Sequence, residues 1–149
     1  MNEKDKKLLN DKDKRLGLLL WIRIVRFFNK NSRESNQFLN QWNLSTAQFD
    51  VIAQVGSYTH GRLTQQDLAK RSLVTKGNIT LLLKKMEDAN LIVREKEKKN
   101  KYISLTEKGR HLYDEVVPQQ GQLRASQFSR LTREEQKQLL YLIKKLEDE

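Results

Sequence analysis

The sequence predicts a mainly α-helical chain with one small β-hairpin. Three observations predict it. The 149 residues include a single proline and six glycines, too few chain breakers for a turn-rich β fold. Apolar residues recur at three- and four-residue spacing along most of the chain, and Ser or Thr with Gln, Asp or Glu three residues later stands before several of those stretches. One interval, residues 91–105, breaks this period with β-branched and aromatic residues around a polar centre.

Each element follows in order. Residues 1–15 form a charged N-terminal extension. In residues 16–44, Leu16, Leu20, Trp21, Ile24, Phe27 and Phe28 share one face of a long helix, with Arg23, Arg26, Lys30 and Arg33 opposite. Ser45 and Gln48 open a second helix to about residue 57, with Phe49, Ile52 and Ala53 inward. Thr64 and Asp67 open a short third helix to about residue 71; Leu68 faces its core and Ala69 is small where two helices cross. Val74 follows the turn, and Thr75 caps a fourth helix through about residue 89. Asn90 stands where a left-handed conformation is wanted. Residues 91–96 and 102–105 read as the hairpin, with a basic tip at 97–101. Thr106 restarts helix, which Pro118 is expected to kink or interrupt. Thr132 and Glu135 open the last helix, with Leu139, Leu142, Ile143 and Leu146 on one stripe.

Composition excludes several function classes. There is no cysteine, which removes disulfides, thiolate metal sites, nucleophilic thiols and thiol redox sensing within this chain. The longest apolar run, residues 17–22, is far below the roughly 20 residues that span a bilayer. Residues 1–15 mix acids with lysines and lead to no small-residue cleavage site, so a cytoplasmic location is expected. No phosphate loop, nucleophile elbow or paired-acid motif is present, and no enzymatic activity or cofactor is expected. His111, with Glu107 before it and Asp114 and Glu115 after it, reads better as an ion-paired helix surface than as a metal site; His60 reads as a loop or capping residue. The formal charge is +10, and residues 62–110 carry 13 basic against 6 acidic groups. A field so concentrated suits a polyanion, because each phosphate neutralised releases condensed counterions.

Three helices and a hairpin between 45 and 105 have the order of a winged helix-turn-helix. Leu73 occupies the position where many such turns carry glycine. At about 100° per residue, Ile79, Leu82, Leu83 and Met86 fall on one side of the fourth helix. The other side presents Lys76, Gly77, Thr80, Leu81 and Lys84, with Asn78 on the flank. Such a face suits a major groove: glycine admits close approach, Thr80 and Asn78 hydrogen-bond, Leu81 meets a thymine methyl, and lysines meet phosphate or guanine. Lys98, Lys99 and Lys101 at the hairpin tip suit a narrow minor groove. Double-stranded DNA is therefore the expected partner. A non-specific nucleoid-type binder is the alternative within the same fold.

The flanking helices need a partner of another kind. A winged domain of about 65 residues cannot cover both apolar stripes, so the first and last helices are expected to build a symmetric homodimer through Leu20, Ile24, Phe27, Phe28, Leu139, Leu142, Ile143 and Leu146. Residues 16–33 also have the composition of a membrane-surface helix, but the caps and hairpin that follow favour the dimer seam. The domain organisation is then an extension (1–15), a dimerisation helix (16–44), a winged domain (45–110) and C-terminal dimerisation helices (111–149).

The stretches 68–80, 82–92 and 103–109, within this layout, resemble the multiple antibiotic resistance regulator (MarR) family of winged-helix transcription factors. The resemblance implies a homodimer reading a palindromic operator, usually as a repressor, with a small-molecule effector changing the spacing of the recognition helices. It assigns base and phosphate contacts to Thr75, Lys76, Gly77, Asn78 and Thr80. The family's wing carries Asp-x-Arg; the matching positions here are Glu97 and Lys99, in a wing about three residues shorter, and a lysine lacks the planar fork of arginine. The resemblance also puts the effector between the helical seam and the winged domain, in the region of Trp21, Trp42 and Tyr58; such aromatics are more often core than pocket, so no ligand-binding residue is assigned.

Overall fold

The structure is a computed structural model that describes residues 10–59, 62–73 and 76–147, with Lys76 described by its backbone alone. The elements are α1 (Asp11–Leu39), a 3-10 turn (Asn40–Trp42), α2 (Thr46–Ser57), β1 (Leu63–Thr64), α3 (Gln65–Arg71), α4 (Lys76–Asp88), β2 (Ile92–Glu97), β3 (Asn100–Leu105), α5 (Glu107–Gln127) and α6 (Arg133–Glu147). The chain divides after Phe38 into two units, the body of α1 and everything from Leu39 onward.

Helix starts follow the local chemistry of the sequence. Ser45 and Gln48 form a reciprocal box, Gln48 N donating to Ser45 Oγ (3.1 Å) and Ser45 N to Gln48 Oε1 (3.0 Å). Thr64 Oγ1 accepts from Asp67 N (3.0 Å), Thr106 Oγ1 from Gly109 N (3.0 Å) and Thr132 Oγ1 from Glu135 N (3.2 Å). Asn90 takes the left-handed conformation expected of it, with φ 61°. An unforeseen start lies within the charged extension: Asn10 and Asp13 cap each other (3.1 and 3.2 Å), so residues 11–15 are already helical. At its other end α1 stops at Leu39, and the 3-10 turn replaces the helix expected to residue 44.

The second unit holds a continuous core. Leu44, Val51, Ile52 and Val55 meet Leu63, Leu68, Ile79, Leu83, Met86, Leu91, Ile92, Ile103 and Val116, all buried. Burying a side chain of this size stabilises the fold by about 1.5–3 kcal/mol. The sheet order is β1-β3-β2, antiparallel throughout, with Leu63 opposite Ile103 and Ile92 opposite Leu105. Two glycines permit the close packing. A Cβ at Gly56 would stand 2.2 Å from the Tyr113 ring, and one at Gly109 would stand 2.1 Å from the Leu91 carbonyl oxygen.

Several expectations need correction. The hairpin strands extend further than their apolar pattern, through Lys96 opposite Lys101 and Glu97 opposite Asn100, because backbone pairing continues under polar side chains. The tip is therefore two residues, Lys98 and Lys99, with Lys98 at φ 56° as a tight hairpin requires. A third strand, β1, joins the hairpin. Pro118 does not interrupt helix: α5 runs through it, since proline withdraws one donor and long segments on both sides retain theirs. In α4 the buried stripe is Ile79, Leu83 and Met86, at spacings of four and three, and Leu82 lies half-buried at its edge. The expectations for Val74, Thr75 and His60 fall outside the described residues.

Candidate nucleic-acid interface

With Ile79, Leu83 and Met86 sunk into the core, the sequence of α4 dictates which side chains face outward. Gly77, Asn78, Thr80, Leu81 and Lys84 are all exposed, Leu81 at 57%. Lys76 opens the helix, while Thr75 and the Lys76 side chain lie outside the described residues. A Cβ at Gly77 would meet nothing within 4 Å, so the surface there is open. An exposed leucine between two hydrogen-bonding side chains and a cation matches the mixed chemistry of base edges.

Two polar contacts, one ahead of this helix and one at its C-terminal end, are not foreseeable from the sequence. The turn between α3 and α4 is gripped by Asp50 of α2, whose Oδ2 accepts from Ser72 Oγ (3.1 Å) and from Leu73 N (3.3 Å). That carboxylate supports a turn lacking the usual glycine and leaves Leu73 91% exposed. At the other end, Glu87 accepts from Arg94 of β2 through both the side chain (3.1 Å) and the backbone N–H (3.3 Å). The Arg94 hydrogen bond, then its charge, holds the Glu87 carboxyl below the ordinary 4.5. Recognition helix and hairpin are thereby linked by side chains as well as by chain.

The hairpin tip carries the second group. Lys98, Lys99 and Lys101 are exposed, the first two in the turn and the third on β3. Between the tip, α3 and α4 runs a groove of about 350 Å³ whose rim includes Lys70, Lys99, Lys101 and Gln65. The sequence reading missed Lys70, although the buried Leu68 two residues earlier fixes which side of α3 is outward.

Glu97, matched by the resemblance to the aspartate of the family's wing, accepts a hydrogen bond from Arg62 Nη2. The Glu97 hydrogen bond pushes the Arg62 guanidinium further up from its already high range. Arg62 also lies over the Tyr102 ring, 3.9 Å from its centroid. No pattern could have marked Arg62, since it precedes a strand of two residues.

The flanking helices keep their apolar side chains in the open. Leu20, Ile24, Phe27 and Phe28 are exposed on α1, the last at 67%. On α6, Leu142, Ile143 and Leu146 are exposed and Leu139 is half-buried. His111 Nε2 lies 3.9 Å from Glu107 Oε1 with both side chains exposed, and among the described residues no three His, Cys, Asp or Glu side chains group as metal ligands. None of the described helices is long and apolar enough to cross a membrane.

Residues 44–102 match the MarR family. An uncharacterized HTH-type transcriptional regulator of Bacillus anthracis is 39% identical over 130 residues, covering 87% of each chain. The HTH-type transcriptional repressor MdtR of Bacillus subtilis is 30% identical over 128 residues, 84% of this chain and 81% of that one. Among solved structures, the organohalide-sensing regulator RdhR-CbdbA1625 in its 2,4-dichlorophenol-bound form superposes with a TM-score of 0.79 at 25% identity, over 98% of this chain and 83% of that one. With its caps, core and outward recognition helix, the chain belongs to the MarR family of DNA-binding transcriptional regulators, which are not enzymes.

Proposed function

We propose that the protein is a cytoplasmic, homodimeric repressor that reads a palindromic operator in double-stranded DNA and releases it on binding a small-molecule effector. The observation that carries operator reading is the outer face of α4: Gly77, Asn78, Thr80 and Leu81 offer hydrogen bonds and an apolar contact rather than charge alone. Thr75, Lys76 and Lys84 complete that contact, and Lys98, Lys99 and Lys101 neutralise phosphates from the wing. Residues 45–110 form the DNA-binding module.

The exposed stripes support the dimer. Leu20, Ile24, Phe27 and Phe28 of α1 and Leu139, Leu142, Ile143 and Leu146 of α6 are the seam residues, within segments 16–44 and 111–149. Apolar faces of that extent on a water-borne chain call for a partner, and a two-fold pair matches a two-fold operator. The repressor role rests on similarity to MdtR, and the effector on similarity to the dichlorophenol-bound regulator.

Selection of bound duplexes from random DNA tests the reading. Enrichment of one palindrome, with half-sites about 34–36 Å apart or a multiple of that, is the expected result. Uniform recovery of all sequences would make the protein a nucleoid-type binder instead. Sedimentation of the purified chain and of Phe28→Glu should give two copies and one copy respectively; a wild-type monomer would remove the dimer.

A further inference from the structure

Beside the wing lies a cluster that the proposed DNA contacts do not use. Arg62 enters β1, donates to Glu97 at the last position of β2 and stacks on Tyr102 of β3. Tyr102 Oη in turn accepts from Asn100 Nδ2 at 3.4 Å. One guanidinium thus ties all three strands together, across the face of the sheet opposite the buried Leu63 and Ile103. Glu97 immediately precedes the two-residue tip, where Lys98 holds a left-handed φ of 56° that a non-glycine residue adopts at some cost.

We propose that Arg62 is a positioning residue of the wing: by clamping Glu97 and stacking on Tyr102, it sets the direction in which Lys98 and Lys99 leave the sheet. The proposal rests on the reading of the wing as a DNA contact. Geometry rather than stability is the expected consequence, because an exposed ion pair contributes little to folding. The planar fork of arginine is what can bond a carboxylate and lie on a ring at once; a lysine can do one or the other.

The charge of Glu97 makes the test one of sign. On electrostatics alone, removing a carboxylate beside three lysines must tighten DNA binding, since it repels phosphate. If Glu97 is half of a clamp, Glu97→Gln must loosen it. Affinity for a fixed duplex and its salt dependence are measured for the wild type, Lys99→Ala, Arg62→Lys, Glu97→Gln and Arg62→Lys/Glu97→Gln, with a thermal melt of each.

Expected are unchanged melts, Glu97→Gln and Arg62→Lys each about three- to tenfold weaker, the scale of one or two lost phosphate contacts, and a double variant no weaker than either single. Tighter binding by Glu97→Gln, or full affinity in Arg62→Lys, would overturn the clamp while leaving the wing as a DNA contact. Undiminished binding by Lys99→Ala would remove the wing contact itself, and the clamp with it.

Discussion

The recognition helix and the wing are both basic and both exposed, yet they are built from opposite materials. The outer face of α4 mixes glycine, amide, hydroxyl, leucine and lysine, while the wing tip offers lysines alone. Mixed chemistry at fixed spacing can distinguish one base edge from another; a row of flexible ammonium groups responds chiefly to phosphate. Their anchoring differs in the same sense. The helix is seated by a buried stripe of three side chains, whereas the tip is held by a cross-strand ion pair and a stacked ring at the surface. On the proposed function, base selectivity belongs to the helix, whose seat is buried, and phosphate neutralisation to the tip, whose ties are exposed.

The largest effect should come from the seat of the helix. Leu83 is fully buried, so Leu83→Ala should cost about 2–5 kcal/mol in a urea melt and disturb the groove between helix and wing. A loss under about 1 kcal/mol would mean that α4 is held mainly by contacts outside its buried stripe, the Glu87–Arg94 tie among them. Next come the side chains proposed to read bases. Asn78→Ala or Thr80→Ala should lower preference for the selected operator over random duplex by about 1–3 kcal/mol; equal losses on both DNAs would make them backbone contacts and erase the contrast with the wing.

Lys99→Ala should act more weakly and on every sequence alike, flattening the dependence of log affinity on log salt by about 1. A sequence-dependent loss would give the wing a share in selectivity. Smallest is the tie between the two regions. Glu87, its carboxyl held below 4.5 by Arg94, stabilises the fold at pH values above 4.5 and loses that contribution as pH falls through its lowered folded value. The stability gap between wild type and Glu87→Gln should therefore be level at neutral pH and close below 4.5; a gap that persists in acid would assign it to packing.

Much of this is legible in the order of residues alone. Ser45, Thr64, Thr106 and Thr132 cap the helices that their positions suggest, because a cap is settled by residues three positions apart. Asn90 turns left-handed for an equally local reason. The outward face of α4 follows from a 3.6-residue period applied to strong apolar contrasts, and only Leu82, at the stripe's margin, sits shallower than that period predicts. By contrast, β1 is two residues long and exists because Ile103 and Tyr102 pair with it from far along the chain. Pro118 reads as an interruption in isolation, and is carried by the helix on either side of it.

What the sequence determined by itself was the periodic and the nearby: the helices, the starts of α2, α3, α5 and α6, the buried stripe of α4 and the basic field around it. These depend on interactions within one or two turns of chain. Only the folded chain decided that Asp50 grips the turn before α4, that Arg94 joins helix to hairpin, and that Arg62 claims Glu97. Those contacts bring together residues 7 to 35 positions apart, so their partners are chosen by the packing of the core beneath them and leave no spacing in the sequence to find.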